Sequence, residues 1–151
     1  MRTDHQWLRR AIELSRRCPP STSAYCVGAV VVGMGGDELS RGYSRESDPL
    51  GHAEESALAK LAEPSTVDAI GATVYSSMEP CSERRSRPRT CTELIIAAGI
   101  RRVVFALREP PLFVDCNGVE LLQQAGVQVV EVPDLADLVR EANRGVLRGH
   151  R

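Results

Sequence analysis

Apolar residues recur at helical spacing in the opening stretch. Trp7, Leu8, Ala11 and Ile12 share one face over residues 4–17, and Thr3 or Asp4 can cap the start. Cys18-Pro19-Pro20 ends the pattern, because proline lacks the amide that the helical ladder needs. The chain then runs through Val27-Gly28-Ala29-Val30-Val31-Val32, a β-branched stretch that predicts a buried strand. The turn Gly33-Met34-Gly35-Gly36-Asp37 returns it as a second strand over 39–43. A helix over 52–62, with Ala53, Ala57, Leu58 and Leu61 inward, precedes a strand over 72–77. A helix over 91–98 ends at Gly99, and a strand follows over 102–107. Next come a helix over 119–125 ending at Gly126, a strand over 127–132 and an amphipathic helix over 134–146. A helix between the last two strands makes them a parallel pair with a right-handed crossover. The pattern predicts a three-layer α/β/α sandwich around a five-stranded mixed sheet, with the last two strands parallel. No repeat, linker or low-complexity tract divides it, so residues 1–151 read as one domain.

Composition narrows the class. Nineteen Lys+Arg against twenty Asp+Glu leave a net charge of −1, and aromatics are 4% of the 151 residues. That argues against a nucleic-acid-binding face and a base-stacking platform. No stretch approaches the ~20 apolar residues of a membrane span, and the N-terminus has no apolar signal core. A cytoplasmic protein is expected. Five cysteines in such a chain favour thiols or metal ligands over a disulfide framework. Cys18, Cys26 and Cys116 are read as small hydrophobes, with Cys26 near the expected substrate wall.

The chemistry concentrates in His52-Ala53-Glu54 and Glu79-Pro80-Cys81 with Cys91. One imidazole and two thiolates give zinc three protein ligands and leave a fourth position for water, the open coordination of a catalytic site. His52 and Cys91 both fall at predicted helix N-termini, where the dipole favours a thiolate. Glu54, two residues after the histidine, can reach over the metal and carry protons without ligating it. Glu79 is expected to brace the metal loop, and Glu55 to be structural.

His52-Ala53-Glu54 followed by Pro80-Cys81 resembles the zinc-dependent deaminase signature H-x-E…P-C-x-x-C. Nine residues, rather than two, separate Cys81 from Cys91. An insertion of this kind is similar to the deaminase domain of the bifunctional riboflavin-biosynthesis deaminase/reductase, here expected to stand alone without the reductase. Val27–Val32, Glu79-Pro80-Cys81-Ser82 and Leu94–Ile100 are similar to it too. The resemblance implies a cytidine deaminase-like fold, a Zn2+ cofactor on His52, Cys81 and Cys91, and Glu54 as proton carrier. It also implies substrate contacts at Ala53, at Ser77 through its carbonyl, at Ala24 and at Arg87. Ala24 and Pro111 stand where that family has ring-holding asparagines, and Arg87 where it has a phosphate-contacting lysine. Arg84, Arg85, Arg87 and Arg89 crowd the inter-cysteine loop, which reads as an anion clamp, a subunit contact or a solvated basic loop.

The expected function is hydrolytic deamination of a small aminated heterocycle, with a diaminopyrimidine ribose phosphate as the leading substrate. The alternatives are a free base or nucleoside, and a zinc-stabilised binding protein without catalysis. Assembly as a homodimer or homotetramer is expected by the same resemblance.

Overall fold

The computed structural model describes residues 2–21, 23–62, 69–82, 89–110 and 116–148. Helix α1 (Asp4–Ser15) opens on a capping box. The Thr3 hydroxyl accepts the Gln6 amide at 3.2 Å, and the Gln6 side chain accepts the Thr3 amide at 2.8 Å. There follow β1 (Gly28–Val32), β2 (Glu38–Tyr43), α2 (Ala53–Ala62) and β3 (Thr73–Met78). The second half comprises α3 (Cys91–Ala97), β4 (Arg102–Leu107), α4 (Gly118–Gln124), β5 (Gln128–Glu131), a 3-10 turn (Pro133–Leu135), α5 (Ala136–Ala142) and α6 (Arg144–Arg148).

The strands form one sheet in the order β2-β1-β3-β4-β5. The β2–β1 and β1–β3 pairs are antiparallel, while β3–β4 and β4–β5 are parallel. The expected parallel pair is thus part of a parallel triple, because α3 carries the chain from β3 to β4 just as α4 carries it from β4 to β5.

The two faces follow from the period of two along each strand. Val30, Val32, Tyr75 and Val104 pack with Trp7, Leu8, Ile12 and Val139 of α1 and α5. Ala29, Val31, Val74 and Val103 pack with Ala53, Ala57, Ile95 and Leu122 of α2, α3 and α4. This is the three-layer arrangement expected from the sequence. Close approach is built in at Gly28, where a Cβ would stand 1.8 Å from the Ala11 carbonyl oxygen.

Two expectations are corrected. The single terminal helix is broken after α5, because the buried Asn143 side chain turns to the chain start of β1. Asn143 Oδ1 accepts the Cys26 amide at 2.6 Å, and Nδ2 donates to the Cys26 and Val139 carbonyls, each at 3.0 Å. Such side-chain bonds offer the backbone an alternative to the helix. Second, Cys18 and Cys26 are not plain thiols but a disulfide, with a Cα–Cα separation of 5.7 Å. Pro19-Pro20 turns the chain back after α1, bringing the two residues within bridging reach. Arg45, at φ 57°, donates from Nη2 to Cys18 Sγ and the Pro19 carbonyl oxygen, each at 2.7 Å. Among the described residues no helix is long and apolar enough to cross a membrane.

Candidate active site

The site forms where β3 and β4 end, at the carboxyl edge of the parallel strands, which is where open α/β sheets place their ligands. Three elements deliver its donors. His52 immediately precedes α2, and its amide donates to Glu55 Oε1 at 3.3 Å. Glu55 therefore does structural work at the helix start, as expected. Cys91 is the first residue of α3, behind a second capping box formed by Thr90 and Glu93. Cys81 lies on the chain leaving β3, and its carbonyl accepts from the Thr92 amide at 3.1 Å and the Thr92 hydroxyl at 2.8 Å. Those bonds fasten the Cys81 segment to the first turn of α3, so the cysteines meet despite nine intervening residues.

The donor atoms of His52, Cys81 and Cys91 all lie within 4.8 Å of one another. His52 Nδ1 is 3.5 Å from Cys81 Sγ and 3.3 Å from Cys91 Sγ. Zinc bonds to nitrogen and sulfur at tetrahedral angles separate such donors by about 3.6 Å, so the set fits a zinc ion. The Cys91 amide, at the positive end of α3, donates to Cys81 Sγ at 3.2 Å. The Cys81 thiol falls to about 4, driven first by its hydrogen bond with Cys91 and then by His52. Cys91 is pushed up by that same bond, by burial and by the nearby Glu54 carboxylate. Cys81 is the readier thiolate.

Glu54 is only 4% exposed and faces this cluster from the first turn of α2. Ser76 Oγ lies 2.6 Å from Glu54 Oε1 and 2.7 Å from the Met78 carbonyl oxygen. Glu79, also buried, braces the site as expected. Its Oε1 accepts the Glu109 amide at 3.3 Å, and its Oε2 accepts the Val119 amide at 3.1 Å. It thereby ties the ends of β3 and β4 to the N-terminus of α4, whose own N-cap Asn117 supplies no side-chain bond. At the start of α4, a Cβ on Gly118 would stand 2.2 Å from the Pro80 carbonyl oxygen.

The structure brings together His52, Glu54, Cys81 and Cys91. Ala53 turns its side chain into the core. Ser77 is fully buried, and its hydroxyl accepts the Gly28 amide at 3.1 Å. Ala24 lies half-buried on the segment before β1, its amide bonded to Ser21 Oγ at 3.1 Å. Arg87 and Pro111 lie outside the described residues, as do Arg84 and Arg85.

Two neighbours were missed in the sequence. Ser76 sits one residue before the serine singled out there, on the opposite face of β3 under strand alternation. Glu109, two residues beyond β4, is raised to about 7 by burial and by the charges of Cys81 and Glu54. The signal for it was an acidic residue just past the carboxyl end of a parallel strand. Tyr25 closes this side, donating to the Pro110 carbonyl at 3.0 Å.

Residues 1–107 match the family model described as the cytidine and deoxycytidylate deaminase zinc-binding region. The chain belongs to this deaminase family. A Schizosaccharomyces pombe protein named diaminohydroxyphosphoribosylamino-pyrimidine deaminase is 43% identical over 142 residues, covering 93% of this chain and 35% of that protein. The Escherichia coli riboflavin biosynthesis protein RibD is 35% identical over 150 residues, covering 98% of this chain and 38% of that one. The chain thus spans under two-fifths of the length of these curated relatives. The crystal structure of a C-terminal deletion mutant of Aspergillus oryzae Rib2 deaminase in complex with DARIPP superposes with a TM-score of 0.82 at 25% identity. That match covers 97% of this deaminase-family chain and 93% of the Rib2 chain.

Proposed function

We propose that this chain is a single-domain, zinc-dependent deaminase that hydrolyses an amino group from a diaminopyrimidine ribose phosphate, as in riboflavin biosynthesis. The observation that carries the reading is the buried Glu54 carboxylate set against the His52, Cys81 and Cys91 donors. The named pyrimidine deaminase relative and the Rib2–DARIPP complex support the substrate class.

Zinc on those three residues supplies Lewis-acid activation of a water at neutral pH. Glu54 takes a proton from the attacking water and returns it to a ring nitrogen, then takes the proton of the newly added hydroxyl and gives it to the departing amine, so that the C–N bond breaks to leave a ring carbonyl and ammonia. The Ser77 carbonyl and the Ala53 backbone face the amine and ring in this reading. Ala24 lines the ring, and Arg87 takes the 5′-phosphate through its guanidinium fork. The chain works in the cytoplasm as a homo-oligomer.

Ammonia release from DARIPP and a panel of aminated bases and nucleosides, each with and without a 5′-phosphate, tests the proposal. Turnover is expected for the phosphorylated diaminopyrimidine, with a loss of about 10²-fold or more in Glu54→Gln at unchanged zinc content. A rate near wild type in that variant refutes the role of Glu54. Preference for a free base or nucleoside overturns the substrate, and binding without ammonia release from any member overturns catalysis.

A further inference from the structure

Ser76 stands in an unusual bonding position. Its side chain is fully buried on β3, and its hydroxyl oxygen is within hydrogen-bond reach of both Glu54 Oε1, at 2.6 Å, and the Met78 carbonyl oxygen, at 2.7 Å. A serine hydroxyl has one proton to give and lone pairs to receive, whereas a carbonyl oxygen can only accept. Ser76 therefore cannot donate to both neighbours at once. When its proton points to Glu54, that carboxylate is held as an acceptor. When its proton points to the Met78 carbonyl, the Ser76–Glu54 contact survives only if Glu54 donates to Ser76 Oγ.

We propose that Ser76 is a positioning residue for Glu54, its hydroxyl oxygen set between Glu54 Oε1 and the Met78 carbonyl oxygen so that the carboxyl keeps one place beside the His52, Cys81 and Cys91 donors. The Met78 oxygen is a fixed reference for this contact, because β3 is held to β4 at Met78–Leu107 and by the Glu79 amide donating to the Leu107 carbonyl at 2.9 Å. A carboxyl without such a partner turns about its own torsions, and misplacement by about 1 Å is enough to cost 10²-fold in rate.

The inference rests on the proposed proton-carrying role of Glu54, so the experiment separates the two. Ser76→Ala, Ser76→Thr and Glu54→Gln are compared with DARIPP as the substrate probe, with zinc content measured for each. Ser76→Ala is expected to lower kcat about 10- to 100-fold with KM and zinc content unchanged, and Ser76→Thr, which restores the hydroxyl, to recover most of the loss. Wild-type kcat in Ser76→Ala beside a silent Glu54→Gln overturns the Ser76 role alone. An active Glu54→Gln overturns the reading of Glu54 beneath it. A second measurement needs no turnover: a double-mutant cycle of Ser76→Ala and Glu54→Gln on unfolding of chelator-stripped protein. The paired substitutions are expected to lose less stability than the sum of the separate losses, and strictly additive losses overturn the coupling.

Discussion

Replacing Glu79 by alanine should loosen the whole floor of the site. The carboxylate is 4% exposed and accepts two backbone amides, from Glu109 at 3.3 Å and Val119 at 3.1 Å. A hydrogen bond to a charged group contributes about 1.5–3 kcal/mol, and a buried donor left without a partner costs about 1–3 kcal/mol. Val119 is the second residue of α4, so its amide is one of the orphan donors of a helix start, and the carboxylate also answers the helix dipole. Taking the lower figure for each bond gives a loss of about 3 kcal/mol for Glu79→Ala. For a chain of 151 residues that is a fall in Tm of roughly 9 °C, at about 3 °C per kcal/mol. Glu79→Gln keeps one acceptor and turns an amide group toward the other N–H, so it should lose about half as much. Thermal unfolding of wild type and both variants gives the order directly. Zinc competition against a chelator should show affinity weakened by about 10- to 100-fold in Glu79→Ala, because this carboxylate positions the segment carrying Cys81. A loss under about 1 kcal/mol in Glu79→Ala, or equal losses in the two variants, would refute this bracing role.

Gly118→Ala forces a methyl to within 2.2 Å of the Pro80 carbonyl oxygen, so it should destabilise by about 1–3 kcal/mol and weaken zinc retention, both readable by unfolding with and without the metal. Cys18→Ser with Cys26→Ser opens a bridge of sequence separation 8 and should lower stability by about 2–3 kcal/mol, with an equal loss when wild type is reduced by dithiothreitol; no loss in either would mean that the bridge does not close in solution. Glu109 is raised to about 7 from 4.5, so the folded state holds its proton more tightly than the unfolded one. Its contribution is complete below pH 4.5 and disappears as pH rises through about 7. In chelator-stripped protein, Glu109→Gln should therefore gain on wild type between pH 5 and 8, by up to about 3 kcal/mol, and parallel pH profiles would sink the assignment.

The elements were legible because their patterns are local. The β-branched run at 28–32, the cap at Thr3 and Gly99 each specify a strand or a helix end within a few residues. The site was legible because His52, Glu54, Cys81 and Cys91 belong to a signature that survives nine residues between its cysteines in place of two. What escaped is what depends on approach across the fold. Nothing local announces that Asn143 bonds a residue 117 positions away, and that contact is what breaks the last helix. The disulfide escaped for the opposite reason: an odd cysteine count argues about composition, whereas the Pro19-Pro20 turn decides whether two sulfurs meet.

The distribution of supports shows why the ends of β3 and β4 suit this chemistry. A site that moves protons beside two thiolates needs donors held without side-chain freedom, and loops alone do not provide that. Here the Cys81 segment is bonded to α3 through Thr92, α4 is bonded to β3 through Glu79, and the chain leaving β4 is bonded to the same carboxylate. The carboxylate Glu54 comes from a different layer, on α2, and meets β3 through the Ser76 hydroxyl. The candidate metal donors are thus held by several independent contacts, while the proposed proton carrier is tied to the sheet through the Ser76 hydroxyl. Substitutions around Cys81 should therefore degrade zinc affinity and stability together, whereas a change at Ser76 should reach turnover while leaving zinc affinity nearly intact.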